Sequence, residues 1–273
     1  MMFELKWVYE FILIIYGLSL IGYFIDFIQN NRKANKTAFW LLCMVWVIQT
    51  LFLLFEVILE HNLPIFTFTD SLFFYSWVLL TLSLIVNALF TIHFILFFIN
   101  LFSFFILLLY ISTKAQETFA TGGVRIVDEM LVAHISLAIL SYGFFTLSFF
   151  CSLMYIAQYR ILKEKKGLKW IWRLGDLKML DRYALLAITI GVPLLLIAIT
   201  LGVVWAYVSS SEFYWFDLKT AGSILVLLVY IVYLLLRVGR GYNGKRIAIY
   251  NSAAFLMLLV NFFLFSVLSN FHF

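Results

Sequence analysis

The side chains best suited to chemistry lie in two places. His134 stands near the start of a long apolar run, Met130–Tyr159. Further along, Gly202–Lys219 reads GVVWAYVSSSEFYWFDLK. That stretch leaves an apolar segment at Trp205, turns through Ser209–Ser211, and crowds Phe213, Tyr214, Trp215 and Phe216 against Asp217. An imidazole beside aromatic side chains is a potential axial ligand for haem iron, which makes His134 the candidate ligand, and Trp205, Tyr214, Trp215, Phe216 and Asp217 read as a cofactor-facing loop. The same residues also read as an interfacial aromatic belt with a water-bonded histidine. Spacing alone leaves both readings open. His61, His93 and His272 are weaker candidates, falling in an outer loop, near a turn and next to the last residue. Asp26 and Glu56 are ionisable residues near the ends of apolar runs, close enough to water to be ordinary.

The elements that must hold these residues follow from composition. Of the 273 residues, 65% are hydrophobic and 12% charged, with a mean hydropathy of +1.05. Soluble domains carry roughly a quarter charged residues, so a soluble globular protein is excluded. No long polar block is left for a soluble domain on one anchor. A helical span takes ~20 apolar residues, which leaves room for about eight. The reading is therefore an all-α, polytopic integral membrane protein forming a single transmembrane domain, 1–273, with N-terminal helices in 1–129 and four more in 130–273. The spans fall at Trp7–Phe27, Ala38–Leu59, Ser71–Phe90, Ile92–Ser112, Met130–Tyr159, Tyr183–Tyr207, Thr220–Leu236 and Ile247–Leu268. The first is read as a retained helix, because it lacks a small-residue cleavage site. Gly191-Val192-Pro193 permits a kink in the sixth span, and Gly202 permits close packing.

Charge orients the spans. Fifteen of the 19 Lys and Arg residues fall in the loops after spans 1, 5 and 7, leaving Lys6, Lys114, Arg125 and Lys219 for the other side. Lys and Arg concentrate on the cytoplasmic side. With eight crossings, both termini and the 208–219 hairpin are expected outside, in a cell membrane. Arg160–Arg182 is then the main cytoplasmic feature. Its Leu168–Arg182 portion mixes Trp170 and Trp172 with basic residues, which suits an interfacial helix. It reads as an anchor on anionic lipid or as a docking surface for a cytosolic partner. Cys43 and Cys151 sit in separate apolar runs without a C-x-x-C pair, which argues against a zinc, redox or covalent haem site. No Walker A, dinucleotide or H-E-x-x-H pattern occurs, so no catalytic residue is assigned. The expected partner is the lipid bilayer, and no nucleic acid is expected.

The run from Leu174 to Arg237 resembles the cytochrome c assembly family (the CcsA/ResC group), ahead of and through its Trp-rich haem-handling loop. The matching points are Leu180-Asp181-Arg182, Gly191, Pro193-Leu194, Gly202 and Trp205-Ala206. FYWFDLK resembles the family's Y-W-S-W-D-P-K-E segment, with Asp217 and Lys219 on its D and K and Arg237 on the arginine closing the next helix. LVAHISLAILSYGFF looks like the family's His-bearing helix, and VNFFLFSVLSN like its V-N-x-x-L-x-G-L-H-S-Y ending. Together these cover about the last 145 residues.

The departures are specific. Tyr214 and Phe216 stand where the motif has tryptophans, and Leu218 replaces its proline. Leu235 and Ser269 stand where the family carries histidines. Of the external ligand pair only His134 remains. This erosion resembles the HemX branch of the family. The resemblance implies a non-enzymatic negative effector of glutamyl-tRNA reductase abundance in haem biosynthesis, reaching its target through Arg160–Arg182, with residual haem binding. The alternatives are a cytochrome c assembly subunit that moves or presents haem, and a small transporter hinted at only by Gly191–Pro193.

Overall fold

The computed structural model describes residues 2–29, 31–60, 67–89, 93–117, 129–165, 176–208 and 218–265. They form α1 (Met2–Gln29), α2 (Arg32–Glu60), α3 (Phe68–Leu89), α4 (His93–Glu117), α5 (Glu129–Glu164), α6 (Leu177–Val208), α7 (Leu218–Leu234) and α8 (Lys245–Val260). Single π-helical turns follow α7 at Leu235–Gly239 and α8 at Asn261–Phe265. Among the described residues there is no strand, and eight helices are long and apolar enough to cross a membrane. The chain is a multi-pass membrane protein. Lipid offers the backbone no hydrogen-bond partner, so each crossing must close its own ladder.

Helix ends depart from the expected spans where capping chemistry outweighs charge. The polar stretch between the first two expected spans is helical from Arg32 onward. The Asn31 carboxamide oxygen accepts from the Lys33 and Ala34 amides at 3.0 and 3.4 Å, so α2 begins at Arg32. The expected loop Arg160–Arg182 is also helical at both ends. α5 runs on to Glu164, and α6 begins at Leu177 behind Asp176, whose carboxylate accepts from the Lys178 amide at 3.3 Å. Residues 177–182 of the expected interfacial helix thus belong to α6, and residues 166–175 lie outside those described. α4 passes Ser112 to reach Glu117. The expected loop Arg237–Arg246 opens within a π turn, closed by the Arg240 amide on the Leu235 carbonyl at 3.3 Å.

The chain divides into two compact units, 1–127 and 128–273. In the first, α1–α4 bury a set of small polar groups. Asn100 accepts from the Tyr16 hydroxyl at 3.3 Å and donates to Ser83 at 2.7 Å, and the Ser76 and Ser103 hydroxyls meet at 3.0 Å. A reciprocal clasp joins α2 to α3. The Trp46 indole donates to Thr81, and the Trp77 indole to Thr50, both at 2.9 Å. Each threonine hydroxyl donates back to the tryptophan carbonyl one turn earlier on its own helix. Asp26 accepts from the Asn35 carboxamide at 2.8 Å, tying the end of α1 to the start of α2. Outward faces are apolar: Phe11, Ile14, Leu18 and Ile21 follow one exposed stripe of α1, as a lipid-facing surface requires.

In the second unit α5 lies along α6, with α7 and α8 completing the packing. α5 has 36 residues; at 1.5 Å per residue it is about 54 Å long, well beyond a ~30 Å hydrocarbon core. Phe145 stacks on Tyr230 with centroids 3.8 Å apart, and Phe149 on Phe255 at 4.3 Å. α6 continues as helix through Pro193. At Gly191 a Cβ would come within 2.8 Å of the Phe145 ring, so glycine is what lets that stack close. Halfway along α5, buried Asn251 of α8 donates to the Ser148 carbonyl at 3.1 Å and to the Ser148 and Ser152 hydroxyls at 2.7 and 2.8 Å. Ser148 in turn donates to the Ala184 carbonyl of α6 at 2.9 Å. One buried carboxamide therefore ties three helices.

Candidate functional site

His134 lies in the second turn of α5 and packs against the last third of α6. The two helices run antiparallel, so the start of one meets the end of the other. His134 Nδ1 is 2.6 Å from the Ala198 carbonyl oxygen. A carbonyl only accepts, so Nδ1 must carry the proton. In the neutral ring this puts the lone pair on Nε2, one of the two imidazole nitrogens that metals bind. The same ring lies over Gly202, one helical turn on from Ala198. A Cβ on Gly202 would come within 2.6 Å of His134 Cε1 and 2.7 Å of Nδ1. Two residues of α6 therefore seat the imidazole, one by its carbonyl and the other by having no side chain. Gly202 was expected to allow close helix packing, and the partner it admits is the histidine itself.

Trp205 is three residues past Gly202, on the same face of α6. The residue is half-buried, and its indole Nε1 is buried with no hydrogen-bond partner among the described residues. Buried N–H groups are nearly always paired, and among the described residues this donor has no acceptor. Lys219, in the first turn of α7, lies close enough to His134 to act on it electrostatically. His134, Gly202 and Trp205 thus share one end of the α5–α6 pair. Tyr214, Trp215, Phe216 and Asp217 lie outside the described residues, as do His61 and His272. Among the described residues no three His, Cys, Asp or Glu side chains are grouped to hold a metal, and both cysteines are free.

At the other end of α6, Asp181 pairs with Arg237, whose second nitrogen donates to the Tyr242 carbonyl at 2.9 Å. Their side chains are 20% and 10% exposed. Sequence reading placed Asp181 and Arg237 as separate motif points; the fold joins them across 56 positions. Two residues before Arg237, Leu235 is 63% exposed on the π turn. Asn261, in the other π turn, donates to Ser223, which donates to the Lys219 carbonyl.

A family model described as cytochrome c assembly protein matches residues 65–272. That match begins well upstream of Met130. The chain is 46% identical over 260 residues to Protein HemX of Bacillus subtilis (strain 168), covering 95% of this chain and 94% of that protein. It is 36% identical to Protein HemX of Brevibacillus brevis, over 99% of both chains. The cytochrome c biogenesis protein CcsA of Cyanophora paradoxa is 30% identical over 106 residues, 37% of this chain and 33% of that one.

Proposed function

The chain belongs to the cytochrome c assembly protein family, where its full-length relatives are HemX proteins, and we propose that it is a non-enzymatic regulator of haem synthesis in the cell membrane. In this reading it lowers the abundance of glutamyl-tRNA reductase through its basic face, with both termini and the His134 end outside the cell. The observation that carries the reading is the end-to-end match to HemX proteins, against matches to CcsA proteins over no more than about half of the chain. Charge asymmetry supports the orientation. Eight of the 19 Lys and Arg residues stand between Arg160 and Arg182. A cytosolic enzyme needs a surface to meet, and this is the largest polar one available to it.

Haem is the group the family implies, and the His134 end suits it in three respects. The seat fixes the imidazole with its lone pair on Nε2. The Trp205 indole offers a buried donor that has no acceptor among the described residues. Lys219 sets a positive charge near a ligand that carries carboxylates. His134 would be the iron ligand, and bound haem would supply a metal centre whose occupancy follows haem supply. Ser269 gives no second imidazole at the family's position, and position 235 lies at the opposite end of α6 from His134, which favours residual binding over haem presentation to apocytochromes.

The test is a deletion strain complemented by variants. Deletion should raise glutamyl-tRNA reductase and leave cytochrome c intact. Replacing Lys165, Lys166, Lys169 and Arg173 with glutamine should reproduce the deletion at normal membrane abundance. Unchanged reductase on deletion would remove the regulatory reading. Loss of cytochrome c on deletion would favour the assembly reading instead.

A further inference from the structure

We infer that Gly202 is a positioning residue for His134: its missing side chain and the Ala198 carbonyl together hold the imidazole in the Nδ1–H form, with Nε2 as the ligating nitrogen. The inference rests on the contacts of the seat. Its consequence for haem rests on the reading of His134 as an iron ligand.

The geometry leaves little freedom. In an α-helix the Ala198 carbonyl already receives the Gly202 amide, four residues on. The imidazole N–H adds a second donor to that oxygen, at 2.6 Å. To reach it, the ring must lie flat over the turn between residues 198 and 202. Every residue except glycine places a Cβ there. The distances to three ring atoms would be 2.6, 2.7 and 3.2 Å, the first two shorter than real contacts of a Cβ. The obstacle is the ring itself, whose position is fixed by the hydrogen bond it makes. An alanine at 202 therefore forces the ring off the carbonyl and frees the tautomer. Partners that orient a metal-ligating histidine typically change metal affinity by about 10–100-fold when lost. Gly202 would act at that level without touching the metal.

Three measurements test this. The first is a thermal double-mutant cycle in detergent on the haem-free full chain. Gly202→Ala should lower the Tm, and adding His134→Ala should restore most of the loss, because the obstructing ring is gone. A Gly202→Ala cost that is the same with alanine at position 134 overturns the inference. This readout holds even where Gly202→Ala alone folds poorly, since the double variant is then the one recovered. The second is 15N spectroscopy of histidine-labelled protein, with the His134 signal identified by its loss in His134→Ala. The native protein should show a protonated Nδ1, and Gly202→Ala should mix the tautomers; a native Nε2–H form overturns the inference. The third is haemin titration. Gly202→Ala should weaken binding by about tenfold. In His134→Gly, added imidazole should restore the haemin spectrum, whereas 1-methylimidazole, which has no N–H for the carbonyl, should not. Equal rescue by both overturns the inference. A native protein that binds no haemin removes the haem reading, while the stability cycle and the tautomer still decide the role of Gly202.

Discussion

The Asp181–Arg237 pair allows the sharpest energetic test of the fold. It joins the start of α6 to the π turn after α7, and Arg237 extends the tie to the Tyr242 carbonyl. The two side chains are 20% and 10% exposed. Removing one partner of a buried pair costs about 3–5 kcal/mol because the other charge is left buried. Partial exposure lets water screen what remains, so about 2–3 kcal/mol is expected for Arg237→Met. Asp181→Ala should cost less, about 1–2 kcal/mol, because Arg237 keeps its carbonyl acceptor while Asp181 loses its guanidinium in the reverse case. Removing both should cost about as much as Arg237→Met alone, giving a coupling energy of about 1–2 kcal/mol. Unfolding in mixed micelles with increasing dodecyl sulfate, followed by far-ultraviolet circular dichroism, gives all four corners of the cycle. Additive effects, with coupling below about 0.5 kcal/mol, would mean that the pair is a solvated surface contact. Asp181→Ala costing more than Arg237→Met would refute the asymmetry drawn from the Tyr242 carbonyl.

Other outcomes follow from single contacts. Asn251→Leu should cost about 1–2 kcal/mol in the same assay, since it removes the donor shared by Ser148 and Ser152; a neutral result would mean the three-helix tie is dispensable. Trp205→Phe removes a buried donor that has no acceptor among the described residues. It should raise the stability of the haem-free protein by about 1 kcal/mol and weaken haemin binding several-fold; loss of stability would show that the N–H is paired in solution. Leu235→His should leave the haemin spectrum unchanged, because position 235 is exposed on the π turn and lies at the Asp181 end of α6, about 30 Å along the helix from the His134 seat. A bis-imidazole spectrum in that variant would contradict this placement.

The architecture was legible because the physics of a bilayer is blunt. Twenty apolar residues without charge read as a crossing, and the number of crossings follows from composition. Helix ends were harder to read. Asn31 and Asp176 cap helices inside stretches whose charge looked like loop, because a carboxamide or carboxylate facing free amides decides where a helix starts regardless of the lysines that follow. Long-range pairs left no local trace. His134 and Ala198 are 64 positions apart, and no periodicity in either helix marks the contact. Gly202 was visible as a small residue, but that it makes room for a histidine emerges only when α5 lies on α6. Leu180-Asp181-Arg182 and Arg237 were both noted, without any cue that they form one ion pair. Positions 214–217, in the stretch most conspicuous in the sequence, fall outside the described residues.

What the seat can hold bears on which proposed role fits better. Passing haem between proteins calls for a site that grips the iron strongly from both sides and then lets go through a change in its ligands. Sensing haem supply needs occupancy that rises and falls with concentration, which a single protein imidazole suits better than two. The described geometry supplies one oriented imidazole with a buried indole donor on the same helix face. α6 also begins at the Asp181 pair and ends at the seat, so both ends of the unit are pinned to the same helix.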